Sequence, residues 1–229
     1  HVALLGDGLA PEPGMNQVVH RYCSACVSQV FEPAVNLTRA TDERERLLSL
    51  ATDVCLANGV STLTLRNLGT AVGSNNRMLL YYFGSKEQLV LEALAEAARR
   101  HWALGGAAPA EPGEMEAWLC RSWRGLVAPV NRPFVRLFLE VTGLAVQHPD
   151  RFAGFVTSLE PFTALVVASL RNQGAGAAEA RDLATEIVAL WRGLQYELVT
   201  GGDVRRINRV HDRGIRRILT DLAESRALH

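Results

Sequence analysis

From residue 42 onward, apolar side chains recur every three or four positions, the period of helices that bury one face. In DERERLLSLATDVCLANG, residues 42–59, Leu47, Leu48, Ala51, Val54 and Cys55 fall on one side. Asp42 with Glu45 gives a capping-box start and Asn58–Gly59 a left-handed stop. A second helix of about two turns follows in TLRNLGTAVG, with Thr64 as its cap, Leu65, Leu68 and Val72 inward, and Gly73 as its end. Ser74 or Asn75 then caps a third short helix that buries Leu79 and Phe83 at i, i+4 spacing. Ser85 with Gln88 opens a fourth, whose apolar face runs through Leu89, Leu91, Leu94, Ala97 and Ala98 to Trp102 before GGAAPAEPG ends it. Further helices are predicted at about 114–127, 133–147, 151–172 (kinked or broken near Pro161), 179–200 and 204–227. Their separators are APVNRP, HPD, NQGAGAA and TGGD. No alternating run calls for a strand, so the expected fold class is all-α.

Composition narrows the function classes more than the fold. The 229 residues carry 24 basic and 24 acidic side chains, so overall charge offers no argument for a nucleic-acid or membrane partner. Any basic face must be local. Four cysteines in a chain of this length point to a reducing cytoplasm and not to a disulfide scaffold. His20, Cys23 and Cys26 have spacings that suit zinc, but no second close pair completes a site, and neither a metal nor a cofactor is expected. No run approaches the roughly 18–20 apolar residues that span a bilayer, and the start lacks the pattern of a secretory signal. The glycosylation sequon at Asn36 is read as chance on that ground. GDGLAP begins like a dinucleotide fingerprint, but Pro11 stands at the third glycine and no strand precedes it. Gly-x-Ser-x-Gly, His-Glu-x-x-His and Ser-x-x-Lys motifs are all missing, so no enzyme is expected.

Two short helices joined by a glycine-containing turn and braced by a longer one describe a helix-turn-helix. The second must be short and polar at its start, because its first residues meet base edges in a groove about 12 Å wide. Asn75, Asn76 and Arg77 occupy that start; asparagine pairs bidentately with adenine, and arginine with guanine. Tyr81 and Tyr82 carry hydroxyls that can donate to phosphate. Lys86, the only lysine in the chain, lies in the first turn of the next helix. A cation is unfavourable at the positive end of a helix dipole unless an anion sits beside it. A bound phosphate gives that lysine a physical reason. Arg39 to Val90 holds six basic residues (Arg39, Arg44, Arg46, Arg66, Arg77, Lys86) and five acidic (Asp42, Glu43, Glu45, Asp53, Glu87), so affinity must come from a few aimed contacts.

The stretch RLLSLATDVCLANGVSTLTLRNLGTAVGSNNRMLLYYFGSKEQLV resembles the DNA-binding domain of the TetR family of transcriptional regulators. Gly59, Thr64, Arg66, Leu68, Gly73, Leu79, Phe83, Ser85, Lys86, Glu87 and Leu89 match that pattern in register. It departs at Ser74, at Gly69 where alanine is usual, and at Met78 and Leu80. The resemblance implies an N-terminal extension over 1–41, a helix-turn-helix domain over 42–90, and a helical ligand-binding and dimerisation domain over 91–229. It also implies DNA contacts from Thr64, Arg66, Asn75, Asn76, Arg77, Tyr81, Tyr82 and Lys86. A pocket for a largely apolar effector follows, with Trp118, Phe138, Phe155 and Trp191 as candidate lining. The last two long helices would pair two copies across a two-fold axis. The expected function is a cytoplasmic, homodimeric repressor of a palindromic operator, with no membrane partner, released by a small molecule. The alternative is a helical small-molecule-binding protein of the same fold with weak or no specific DNA binding, which Ser74, Met78 and Leu80 suggest.

Overall fold

A computed structural model of the chain describes residues 38–101, 109 and 113–227. The expected zinc spacing at His20, Cys23 and Cys26, the sequon at Asn36, and Trp102 lie outside the described residues. Every regular element among those described is helical. They are α1 (Thr38–Asn58), α2 (Leu65–Ala71), α3 (Asn76–Phe83), α4 (Lys86–His101), α5 (Met115–Leu126), α6 (Arg132–Gln147), α7 (Ala153–Asn172), α8 (Ala177–Val199) and α9 (Val204–Ala227), with a 3-10 turn at Pro129–Asn131 before α6. The all-α expectation is met.

Two local expectations are corrected. Asp42 is not the cap of α1, because the helix already begins at Thr38; nothing in Thr38–Arg39–Ala40–Thr41 breaks a helix, so the chain winds through it. The last helix of the middle group, α7, runs unbroken across position 161 instead of ending there. One lost N–H is tolerated where the flanking turns are held by burial on both sides, at Phe152 and Phe155 before it and Val166 and Leu170 after. By length and mean hydropathy, 1.5 over its apolar window, α7 also passes the test for a membrane-spanning helix, against the expectation that no run comes close. It packs on α8.

Helices α1 and α4 lie against each other and carry α2 and α3. Leu47, Ala51 and Cys55 of α1 meet Leu68, Leu79, Phe83 and Leu89 in one fully buried cluster. Each such aliphatic or aromatic side chain contributes about 1.5–3 kcal/mol by leaving water. Arg44 adds a polar lock inside this head. Its Nη2 donates to Glu92 Oε2 at 2.5 Å, its Nε to the Tyr82 carbonyl at 3.3 Å, and its guanidinium lies 4.9 Å from the Phe83 ring centre.

The second group, α5 to α9, is built around tryptophan. Trp118, Trp123 and Trp191 are all fully buried. Trp123 stacks on His211 at 4.8 Å and 6° and lies 5.6 Å from Trp191, which in turn meets Phe162 at 5.3 Å. Trp191 Nε1 donates to His211 Nε2 at 3.1 Å, so the imidazole proton sits on Nδ1 and points at Asp212 Oδ1, 3.0 Å away. Cys120 Sγ donates to the same oxygen, and Arg124 Nη2 to Asp212 Oδ2 at 2.7 Å. Burial raises the Asp212 pKa, but the His211 and Cys120 hydrogen bonds and the Arg124 charge outweigh it and hold the carboxyl below its ordinary value. Burial pushes the Cys120 thiol up to about 11. Cys120, His211 and Asp212 bring three ligand-type atoms within 4.8 Å of one another. A metal on Nδ1 would drive the imidazole proton to Nε2, against the Trp191 N–H that already donates there. The cluster is a closed hydrogen-bond network joining α5, α8 and α9.

Candidate nucleic-acid interface

The turn between α2 and α3 is set by local chemistry. Thr64, with extended backbone, accepts the Asn67 N–H at 3.1 Å and starts α2. Gly73, at φ 67°, ends it. Asn75 then caps α3 by accepting the Met78 N–H at 3.0 Å. Gly69 lets the two helices close on each other: a Cβ there would come within 3.3 Å of the Ser74 carbonyl oxygen. The Ser74 N–H donates to the Gly69 carbonyl at 2.8 Å. The glycine that sequence alone reads as a loosening of α2 is thus a close-approach position.

On α3, Leu79 and Phe83 are buried while Asn76, Arg77, Leu80 and Tyr81 are exposed. Arg77 and Tyr81, four apart, share the outward face with Leu80; Tyr81 is 75% exposed and Leu80 42%. Met78 and Tyr82 are half-buried, and the Tyr82 ring packs edge-on to Phe83 and Tyr81. Lys86 opens α4, half-buried, one residue after Ser85, whose Oγ accepts the Gln88 N–H at 3.0 Å. The charges sort into two classes. Arg44 is tied to Glu92 and Arg46 to Glu43, whereas Arg66, Arg77 and Lys86 have no carboxylate partner among the described residues. Three uncompensated cations therefore sit at or near the starts of α2, α3 and α4, where backbone N–H groups also favour an anion.

A second region lies in the bundle. Leu126, Phe134, Val135, Phe138, Arg192 and Gln195 line a half-open cleft between α5, α6 and α8 that encloses about 240 Å³, part of it open to solvent. Of the expected lining residues, Phe138 is at this cleft. Phe155 is buried beside Phe138 at 5.6 Å, Trp191 lies in the His211 stack, and Trp118 is buried in α5. Helix α6 joins the cleft to the head. Its Arg136 Nη2 donates to the Leu56 and Ala57 carbonyls at the end of α1 at 2.8 and 3.3 Å. Its Glu140 accepts the Val60 N–H at 2.7 Å and the Ser61 hydroxyl at 3.2 Å. Arg151, just before α7, reaches Glu87 of α4 at 3.6 Å.

No protein-family model matches the sequence, and no curated protein matches it. Solved structures do. A transcriptional regulator from Rhodococcus sp. RHA1 superposes with a TM-score of 0.66 at 17% identity, over 78% of this chain and 96% of its own. A TetR-family transcriptional regulator from Streptomyces coelicolor gives 0.63 at 21% identity, over 82% and 99%. A transcriptional regulator from Saccharomonospora viridis, solved in complex with choline, gives 0.60 at 22%, over 76% and 94%. The chain has the TetR-family fold.

Within the TetR-family fold, Thr64, Arg66, Asn75, Asn76, Arg77 and Tyr81 lie exposed on the α2–α3 unit, and Lys86 heads α4. Asn75 spends its carbonyl oxygen on the cap, and Tyr82 is turned partly into the core. Sequence reading missed Arg44, Glu92, Arg136, Glu140 and Arg192. Each acts through a partner 38 or more positions away or, for Arg192, through a face shared with another helix. Only an apolar stripe interrupted by a charge, as at Glu92 between Val90 and Ala93, signals them locally.

Proposed function

We propose that this protein is a DNA-binding transcriptional regulator, a repressor that reads a palindromic operator as a dimer and is released by a small molecule. The observation that carries the reading is the set of uncompensated cations, Arg66, Arg77 and Lys86, with Asn76 beside them, held on a short capped helix whose other face is locked by Leu79 and Phe83. Arg77 and Asn76 offer the donors and acceptors that distinguish bases, and Lys86 with Thr64 serves phosphate. In this reading, residues 42–90 are the reading head, 91–229 the sensing and dimerising bundle, and 1–41 an N-terminal extension. The boundary falls within α4, so head and bundle share a rigid rod.

The likeness to a regulator solved with choline supports a small-molecule site in the bundle. The grip of Arg136 and Glu140 on the end of α1 supports a route from that site to the head: an occupant that shifts α6 shifts the loop before α2. Long α8 and α9, with Tyr196 and Val199 exposed, offer the face for a second copy, and a two-fold dimer matches two operator half-sites. The protein acts in the cytoplasm and catalyses no reaction.

Footprinting of the DNA upstream of its own gene at low salt tests the reading. A protected, two-fold symmetric site is expected, bound by a species that sediments as a dimer. Absence of any sequence-specific protection would instead favour a ligand-binding protein that keeps the fold without reading DNA.

A further inference from the structure

Arg192 is the one arginine in the bundle that faces a cleft rather than a carboxylate or open solvent. Its guanidinium lies over the Phe138 ring at 4.2 Å, and its Nη1 donates to Gln195 Oε1 at 3.0 Å. Among the described residues it has no acidic partner, whereas Arg124 and Arg216 of the same bundle pair with Asp212 and Glu116. The rest of the lining, Leu126, Phe134 and Val135, is apolar. Burial alone drives its pKa down, to about 10, which leaves it charged at neutral pH with that cost unrepaid by a counter-ion. Phe138 and Gln195 fix the plane of the guanidinium, so the donors they leave unused are pre-aligned for two parallel hydrogen bonds.

We infer that the cleft between α6 and α8 takes a small apolar monoanion, an aromatic or branched carboxylate, held by Arg192. This rests on the reading of the bundle as a small-molecule sensor and names the class of its ligand. The size follows from the volume: about 240 Å³ is below the roughly 300–1,000 Å³ of drug-sized pockets. The charge follows from Arg192, which repels a cationic ligand and leaves a neutral one unable to satisfy it. An anion in the cleft bonds α8 through Arg192 and presses on Phe138 of α6, two residues from Glu140, which holds the Val60 N–H.

Calorimetric titration of the full chain with benzoate, benzyl alcohol and benzylamine tests this, because the three probes share a ring and differ in charge. Benzoate should bind at least about tenfold more tightly than either other probe, the scale of one hydrogen bond to a charged group. Arg192→Gln should erase the preference and Arg192→Lys should keep part of it, with circular dichroism verifying that each variant is folded. Benzoate binding no better than benzyl alcohol to the unmodified chain, or a preference that survives Arg192→Gln, overturns the inference; the first comparison needs no variant. Operator release is measured separately on the unmodified chain. Benzoate binding without release leaves the anion site standing and overturns only the effector reading.

Discussion

Arg77 and Lys86 look alike in composition but meet DNA, in the proposed reading, in different ways. Arg77 projects from the second residue of α3 beside Asn76, so Arg77→Ala should cost about 1–3 kcal/mol and relax preference at one base pair. Lys86 heads α4 and touches backbone, so Lys86→Ala should weaken all sequences alike and lower the salt slope by about one. Fluorescence anisotropy against operator and scrambled duplexes across a salt series separates the two. Equal losses on both duplexes for Arg77→Ala would remove it from base reading. Met78 and Leu80 are less of a pair than their apolar character suggests: Met78 is half-buried, leaving Leu80 as the apolar group on the outward face.

At the scale of elements, the joint between α1 and α6 concentrates several constraints. Gly59 has φ 75°, and a Cβ there would lie 2.5 Å from the Glu140 carboxylate. Gly59→Ala should therefore destabilise the fold by about 1–3 kcal/mol, the scale of a strained left-handed residue, read from urea unfolding. Glu140→Ala leaves the Val60 N–H without its acceptor. It is expected to shrink the effector-induced change in operator affinity more than either binding constant alone, and unchanged coupling would show that α6 is not the route. Gly59 as a stop was legible in the sequence, as were the Thr64 and Ser85 caps, because such punctuation is written within a few residues. The start of α1 and the continuity of α7 were not. Whether a permissive segment such as 38–41 winds, or a turn containing proline survives, depends on packing that propensity does not encode. Glu140 was invisible for the same reason, its partners lying 79 and 80 positions away.

Across the whole molecule, the buried His211 couples folding to pH. Burial lowers its pKa, with the Asp212 hydrogen bond opposing. The unfolded chain then binds a proton near the ordinary value of about 6.5 that the folded chain refuses. Stability from this group is complete above about 6.5 and falls as the pH drops below it. Urea midpoints compared on either side of that value should decline toward acid, and less steeply in His211→Gln. Lys86 carries a different consequence at this scale. It is the sole side-chain amine in 229 residues, and it stands half-buried at the head of α4 without an ion-pair partner among the described residues. An acylating reagent thus has one side-chain target, on the surface proposed to meet phosphate. Intact mass before and after adding operator would count bound heads directly, since a shielded Lys86 subtracts one adduct without any residue being changed.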